Sequence, residues 1–246
     1  VRRVHKAPDG PNRAVRDAAS WTELRQVALR DAVEPATVEA RRKAVRRIFD
    51  DRLDKEVVYD ALLAEQGHLC VFCECKIRSK DGKGARIRNH GAAGVDAAHW
   101  IPLHGAPELA LNWSNLYASC RQPRSCNATQ KNTDLGFGPP AEVHLERWLH
   151  CKHDGTLEVT EACPEHLRPA VEGALGATLG LNHHELRRAR LQARQSLRKR
   201  LQPWPNAEER RQIALELLRK PDRPPYISVV VHELVREPID APIATA

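Results

Sequence analysis

Apolar residues recur at helical spacing from about Ser20 to Val33, where Pro35 interrupts the run. Behind it Thr37 is placed to cap a long charged helix toward Leu53, with Val38, Ala44, Val45, Ile48 and Phe49 as its apolar stripe and its arginines mostly on the wet face. Glu56 to Gln66 predicts a third helix, with Val57, Tyr59, Leu62 and Leu63 apolar and Gly67 ending it. The pattern then changes. His68 to Cys75 is short, Cys-rich and strand-like, a loop rich in Gly, Lys and Arg follows, and residues 112–135 read as further short elements. A small helix is expected over 143–150 and one strand over 155–160. Asn182 opens a long helix to Leu201, stopped by Pro203 and Pro205, and Asn206 with Glu209 opens another to about Lys220, stopped by Pro221. The β-branched run in 225–236 predicts a closing strand. The expected organisation is α+β and mostly helical: a helical segment 1–57, a compact Cys-containing centre 58–140, and a helical segment 141–246 ending in a short strand.

Composition narrows the class. With 246 residues, 41% apolar and 29% charged, the chain suits a soluble globular protein. No apolar run approaches the roughly 20 residues that cross a bilayer, so no membrane association is expected. The basic start has no hydrophobic stretch behind it, so no signal peptide is expected and the cytoplasm is the expected location. Lys and Arg outnumber Asp and Glu by 39 to 32, a net +7 that allows a polyanionic partner without demanding one. Seven cysteines, an odd count without a secretion signal, argue against a disulfide framework and for metal binding wherever they cluster.

They cluster twice. Cys70-x-x-Cys73 has the spacing at which one turn presents two thiolates to a zinc ion, and Cys120 and Cys126, beyond 46 intervening residues, form a wider second pair. Cys75 competes for a place in the first pair, whereas Cys151 and Cys163 lie outside the pattern and read as packing residues. Four thiolates close the coordination sphere, so this Zn²⁺ would hold the fold rather than perform chemistry.

Between the pairs lie Val95-Asp96-Ala97-Ala98-His99-Trp100-Ile101-Pro102 and Asn112-Trp113-Ser114-Asn115-Leu116, and then Cys126-Asn127 with Lys131 after it. Two short strands and a helix would bring His99, Asn115 and Asn127 together. This set resembles the HNH (ββα-metal) nuclease family. The opening Arg2-Arg3-Val4-x-Lys6, the segment Cys70-x-x-Cys73-Glu74-x-Lys76-Ile77, the segment from Glu108 to Leu116 and Leu179-Gly180-Leu181-Asn182 are similar to PtuB-type HNH proteins of the Septu anti-phage system. The resemblance implies a zinc-stabilised ββα-metal core flanked by helical segments, acting in phosphodiester hydrolysis. His99 would take a proton from water, Asn115 would hold the loop and the imidazole in position, and Asn127 would be an oxygen ligand to a catalytic Mg²⁺ or Mn²⁺. Many family members carry an acidic metal ligand immediately before the histidine. Here that place is Ala98, and strand alternation puts Asp96 on the face of Ala98 and His99 on the other, so Asp96 becomes the ligand only if a bulge brings it round.

The loop after the first cysteine pair carries Lys76, Arg78, Lys80, Lys83, Arg86 and Arg88, which with Lys131 are the expected nucleic-acid contacts. Arg187, Arg190, Arg194 and Arg198 form a basic stripe that suits either a polyanion or a plain solvated face. DNA is the first expected substrate, with RNA as the alternative. The resemblance also implies a PtuA-like ATPase partner, because the chain has no Gly-x4-Gly-Lys-Ser/Thr loop of its own. From another class comes the alternative of a zinc-stabilised nucleic-acid-binding or scaffold protein with a degenerate site.

Overall fold

A computed structural model describes residues 4, 6, 10–18, 20–34, 37–79 and 94–235. Helices α1 (Arg13–Ala18) and α2 (Trp21–Asp31) lead into α3 (Val38–Arg47), which continues through one wide turn, Ile48–Arg52. The Thr37 hydroxyl accepts the Ala40 amide at 3.2 Å and starts α3 as expected. Helix α4 (Lys55–Gln66) is capped by the Asp54 carboxylate, and it ends on Gly67, whose φ of 65° costs a glycine little.

The centre is an antiparallel ladder of β1 (Val95–His99) and β2 (Leu116–Cys120), running without a bulge from Val95 opposite Cys120 to His99 opposite Leu116. Gln66, the last residue of α4, fastens that helix to the ladder. Its buried amide donates to the Leu69 and Ala118 carbonyls, both at 2.9 Å, and accepts the Ala118 amide at 2.8 Å. The strand-like reading of His68 to Cys75 gives way to a tight turn. The Glu74 amide donates to the Cys70 carbonyl and the Cys70 amide to the Cys75 carbonyl, both at 3.0 Å, while Val71 bonds Ala118 of β2. A single helical turn, α5 (Asn127–Gln130), follows the second cysteine pair.

Helix α6 (Leu145–Trp148) runs directly into β3 (Leu149–Cys151), which pairs with β4 (Leu157–Val159) in a small hairpin where one strand was expected. Helix α7 (Arg168–Gly173) continues into a second wide turn, and α8 (His184–Arg200), α9 (Ala207–Arg219) and α10 (Ile227–Val235) complete the order. Asn206 and Glu209 form the expected capping box on α9. Asn182 does not cap α8; its amide takes both backbone groups of Leu157, at 2.8 and 2.9 Å, and so anchors β4.

The closing strand expected over 225–236 is a helix as far as it is described. Two tertiary facts override the β-branched composition. Ile227, Val230 and Leu234 recur at helical spacing and pack on Leu197 of α8 and on Ala214 and Leu217 of α9. The first turn is also capped from far away, by Glu74. Altogether the chain is α+β, about 52% helical with two small antiparallel sheets. One contiguous core extends from Val4 to Leu186, and a smaller second one joins α8, α9 and α10.

Candidate metal centre and adjoining polar site

The tight turn after α4 brings Cys70 and Cys73 against Cys120 at the end of β2 and Cys126 just before α5. All four are buried, and their sulfurs lie within 4.8 Å of one another. A tetrahedral ion with Zn–S bonds of about 2.3 Å requires sulfurs about 3.8 Å apart. Cys73 and Cys120 are separated by 3.8 Å. The Cys120 thiol is held down at about 6, chiefly by a hydrogen bond from Cys126, and Cys70 is lowered as well, burial there being outweighed by its neighbouring sulfurs, so two of the four ligands are readily deprotonated. This donor set fits zinc, and its four protein ligands leave no position for substrate. Cys75 stands beside the cluster but outside the set; contact with the Cys120 sulfur pushes its thiol well up.

The second pair reaches the cluster with help from the C-terminal half. The Cys126 amide donates to the Leu179 carbonyl at 2.8 Å, and Gly180, with φ 57°, lies so close that a Cβ there would sit 2.6 Å from the Arg124 carbonyl oxygen. The Leu179-Gly180-Leu181 segment thus backs the wide Cys120–Cys126 loop.

His99 ends β1. Its Nε2 donates to the Ala110 carbonyl at 2.9 Å, which fixes the tautomer and leaves Nδ1 as the acceptor nitrogen, with no partner among the described residues. The ring meets Phe49 of the wide turn edge-on, 5.2 Å between centroids. Burial pushes the imidazole pKa down to about 4, so the ring is neutral at pH 7. Asn115 is buried and holds the loop that supplies Ala110. Its Oδ1 accepts the Ile101 amide at 2.7 Å, and its Nδ2 donates to the Ile101 and Leu109 carbonyls at 3.0 and 3.4 Å. Asn115 therefore acts on His99 through the loop, its side-chain hydrogen bonds going to Ile101 and Leu109.

Asp96 and Asn127 meet directly, Asn127 Nδ2 donating to Asp96 Oδ2 at 3.2 Å. The one-to-one register of β1 contains no bulge, so Asp96 stays on the Ala98 face and His99 on the opposite one. Asp96 with Asn127 form one pair of groups, and His99 with Ala110 and Phe49 another. Without a bulge, the Asp96 carboxylate does not reach the side of His99, the condition on which it would serve as a ligand there. A cavity of about 720 Å³ lies elsewhere, between Cys73, β3 and α10, and includes none of these residues.

No family model matches the chain, and no curated protein matches it.

Of the expected nucleic-acid contacts, Lys80, Lys83, Arg86 and Arg88 lie outside the described residues. Arg78 and Lys131 are exposed. Lys76 is not available: its ammonium bonds Asp222 and the Arg223 carbonyl, tying the metal turn to the α9–α10 connection. The arginine stripe of α8 is likewise bonded to other parts of the chain, with Arg198 still half exposed. Arg187 pairs with Asp154, buried Arg190 donates to the Gly155 and Leu181 carbonyls, and Arg194 and Arg198 both bond Glu233 of α10. Lys6, from the similar N-terminal segment, is bonded to Glu65 at 2.9 Å beneath the Trp113 and Tyr117 rings, and burial lowers its pKa to about 8. Phe49 reads in the sequence as one more member of α3's apolar stripe; nothing local signals that it packs on His99.

Among the described residues no helix is long and apolar enough to cross a membrane.

Proposed function

We propose that this chain is a zinc-stabilised, metal-dependent endonuclease of the HNH type that hydrolyses nucleic-acid phosphodiester bonds, DNA first among them, and works with a PtuA-like ATPase in anti-phage defence. The observation that carries the reading is the state of His99: a neutral imidazole with Nε2–H fixed on the Ala110 carbonyl and Nδ1 left as acceptor. That is the form a general base requires.

In this reading Nδ1 of His99 takes a proton from water as the water oxygen bonds to phosphorus, and the bond from phosphorus to the leaving oxygen breaks. Ala110 holds the ring against rotation, and Asn115 holds the strand of loop that carries Ala110. Asn127 would hold the divalent cation, which when bound would supply charge stabilisation on the phosphoryl and leaving oxygens; Asp96, left on the far face by the unbulged strand, would act by orienting the Asn127 amide that bonds it. Cys70, Cys73, Cys120 and Cys126 would hold a zinc ion, which would keep β2, α5 and the 68–75 turn in register. The ATPase partner follows from the resemblance together with the absence of a phosphate-binding loop in this chain.

Two observations favour a second reading. Ala98 offers no ligand, and Asp96 and His99 point to opposite faces of β1. A binding or scaffold protein with a degenerate site would tolerate both. The two are separated by incubating the zinc-loaded chain with single- and double-stranded DNA and RNA in Mg²⁺ or Mn²⁺, with and without the ATPase. The nuclease reading expects cleavage that falls by about 10²-fold or more in His99→Ala while zinc content and helicity are retained. Binding without metal-dependent cleavage under all these conditions selects the scaffold.

A further inference from the structure

Helix α3 has the sequence of a charged helix with a wet arginine face, yet it leads into the turn that packs on His99. Phe49, at the start of the wide turn after α3, packs on the imidazole. One turn of helix before, Arg46 bonds Asp50 through Nε at 3.3 Å, and Asp50 is in turn held by Lys55 at 2.9 Å, whose ammonium lies over the Phe49 ring. One turn earlier again, Arg42 donates to Nδ1 of His104 at 2.9 Å. His104 belongs to the loop between β1 and β2 that also carries Ala110. Residues four apart share a helix face, so Arg42 and Arg46 stand side by side, and the first is pinned to the loop that orients His99.

We propose that Arg42 and Arg46 form a clamp for two neighbouring phosphates of a substrate strand, with Arg46 at the phosphate nearest His99 and Arg42 one phosphate along. The clamp rests on the nuclease reading above for its position at a reacting group; its phosphate-binding chemistry stands on its own. The Arg46 side chain is 68% exposed, and its bond to Asp50 uses Nε alone, leaving both terminal nitrogens to a phosphate. Arg42 uses one nitrogen on His104. Asp50, bridging Arg46 and Lys55, is a positioning residue that fixes where the Arg46 fork points. Arg46 also lies close enough to act on the base: burial is the main cause of the low His99 pKa, and the Arg46 charge lowers it further against the Ala110 bond, Asp96 and Asp50, which raise it. The wide turn Ile48–Arg52 at this point is of a kind that recurs at functional sites. On α8, Arg187, Arg190, Arg194 and Arg198 are each bonded to groups on other elements, and none of these bonds reaches the loop that carries Ala110.

The test uses the full zinc-loaded chain. Binding of a fluorescein-labelled 20-nucleotide DNA strand and its duplex is titrated against salt in a His99→Ala background, so that turnover does not interfere. Adding Arg46→Ala or Arg42→Ala should each lower the slope of log K against log salt by about 0.7–0.9, the loss of one phosphate contact. Arg211→Ala on α9 should leave the slope unchanged. In the active chain Arg46→Ala should lower kcat at least tenfold with partial recovery in Arg46→Lys, whereas Arg42→Ala should raise KM with kcat within twofold. If the wild type cleaves and both arginine variants match it in slope and kcat/KM, the clamp is wrong and the nuclease reading survives. If no cleavage occurs but the slopes fall as stated, the clamp stands and the hydrolase does not. A chain that neither binds nor cleaves overturns both.

Discussion

The Glu74 carboxylate accepts both the backbone amide of Ser228, at 3.0 Å, and its hydroxyl, at 2.5 Å. These residues are 154 positions apart, and the pair joins the cysteine turn to the first turn of α10. An acceptor that caps a helix N-terminus is ordinarily its neighbour in sequence; here it comes from the metal turn, and it also suits the helix dipole. Glu74→Ala should therefore destabilise the chain by about 1–3 kcal/mol and loosen α10 first. Hydrogen exchange should show lost protection in the α10 amides while the β1–β2 amides keep theirs; equal loss in both would contradict a local capping role.

Gly180 is the clearest backbone constraint near the metal. Its φ of 57° already disfavours other residues, and a Cβ would meet the Arg124 carbonyl at 2.6 Å. Gly180→Ala should cost about 1–3 kcal/mol, because the obstruction is backbone and cannot swing away. The loop it presses on carries Cys126, so zinc should leave this variant faster under a competing chelator. A variant that unfolds earlier but holds zinc at the wild-type rate would show that the Leu179-Gly180-Leu181 segment serves the core alone.

Zinc removal is expected to act on the fold before it acts on any reaction. Cys126→Ser should abolish stoichiometric zinc and lower the thermal midpoint by more than 10 °C, given the several kcal/mol that a structural zinc contributes. Cys163→Ser, a change at a buried thiol outside the cluster, should retain the metal. Zinc in full amount in Cys126→Ser would replace the four-thiolate assignment with one that enlists Cys75.

Much of the site's skeleton was legible because its signals are local. The 70/73 spacing, the Gly67 stop, the Thr37 cap and the Asn206–Glu209 box each involve residues within a few positions of one another. What was illegible depends on partners distant in sequence. The run after Tyr226 is β-branched and reads as strand; it becomes helix because Glu74 caps it and because Ile227, Val230 and Leu234 find a groove on α8 and α9. The arginines of α8 look solvated because their acceptors, Asp154, Gly155, Leu181 and Glu233, lie on other elements. Asn182 looked like a cap because the sequence does not show that Leu157 lies beside it. At β1 the alternation rule was right about faces, and the bulge that would have brought Asp96 to the side of His99 is absent.

His99 gives the fold a pH dependence of definite sign. Its pKa in the fold is about 4, lowered from an ordinary 6.5 mainly by burial. Between these values the unfolded chain binds the proton and the folded chain does not, so stability rises with pH across that window. The contribution is complete above pH 6.5 and is lost as the pH falls to about 4. The size is about 2–3 kcal/mol, from 1.36 kcal/mol per pKa unit reduced because the residue is only partly buried. Other groups titrate over the same range, so the measurement is a difference. Urea unfolding of the wild type and of His99→Gln, each at pH 7 and pH 4.5, should show the wild type losing more stability on acidification by roughly that amount. Equal losses in the two proteins would mean that the imidazole is protonated as easily in the fold as outside it. It would then be no neutral base held on the Ala110 carbonyl, and the chemistry assigned to Nδ1 would lose its foundation.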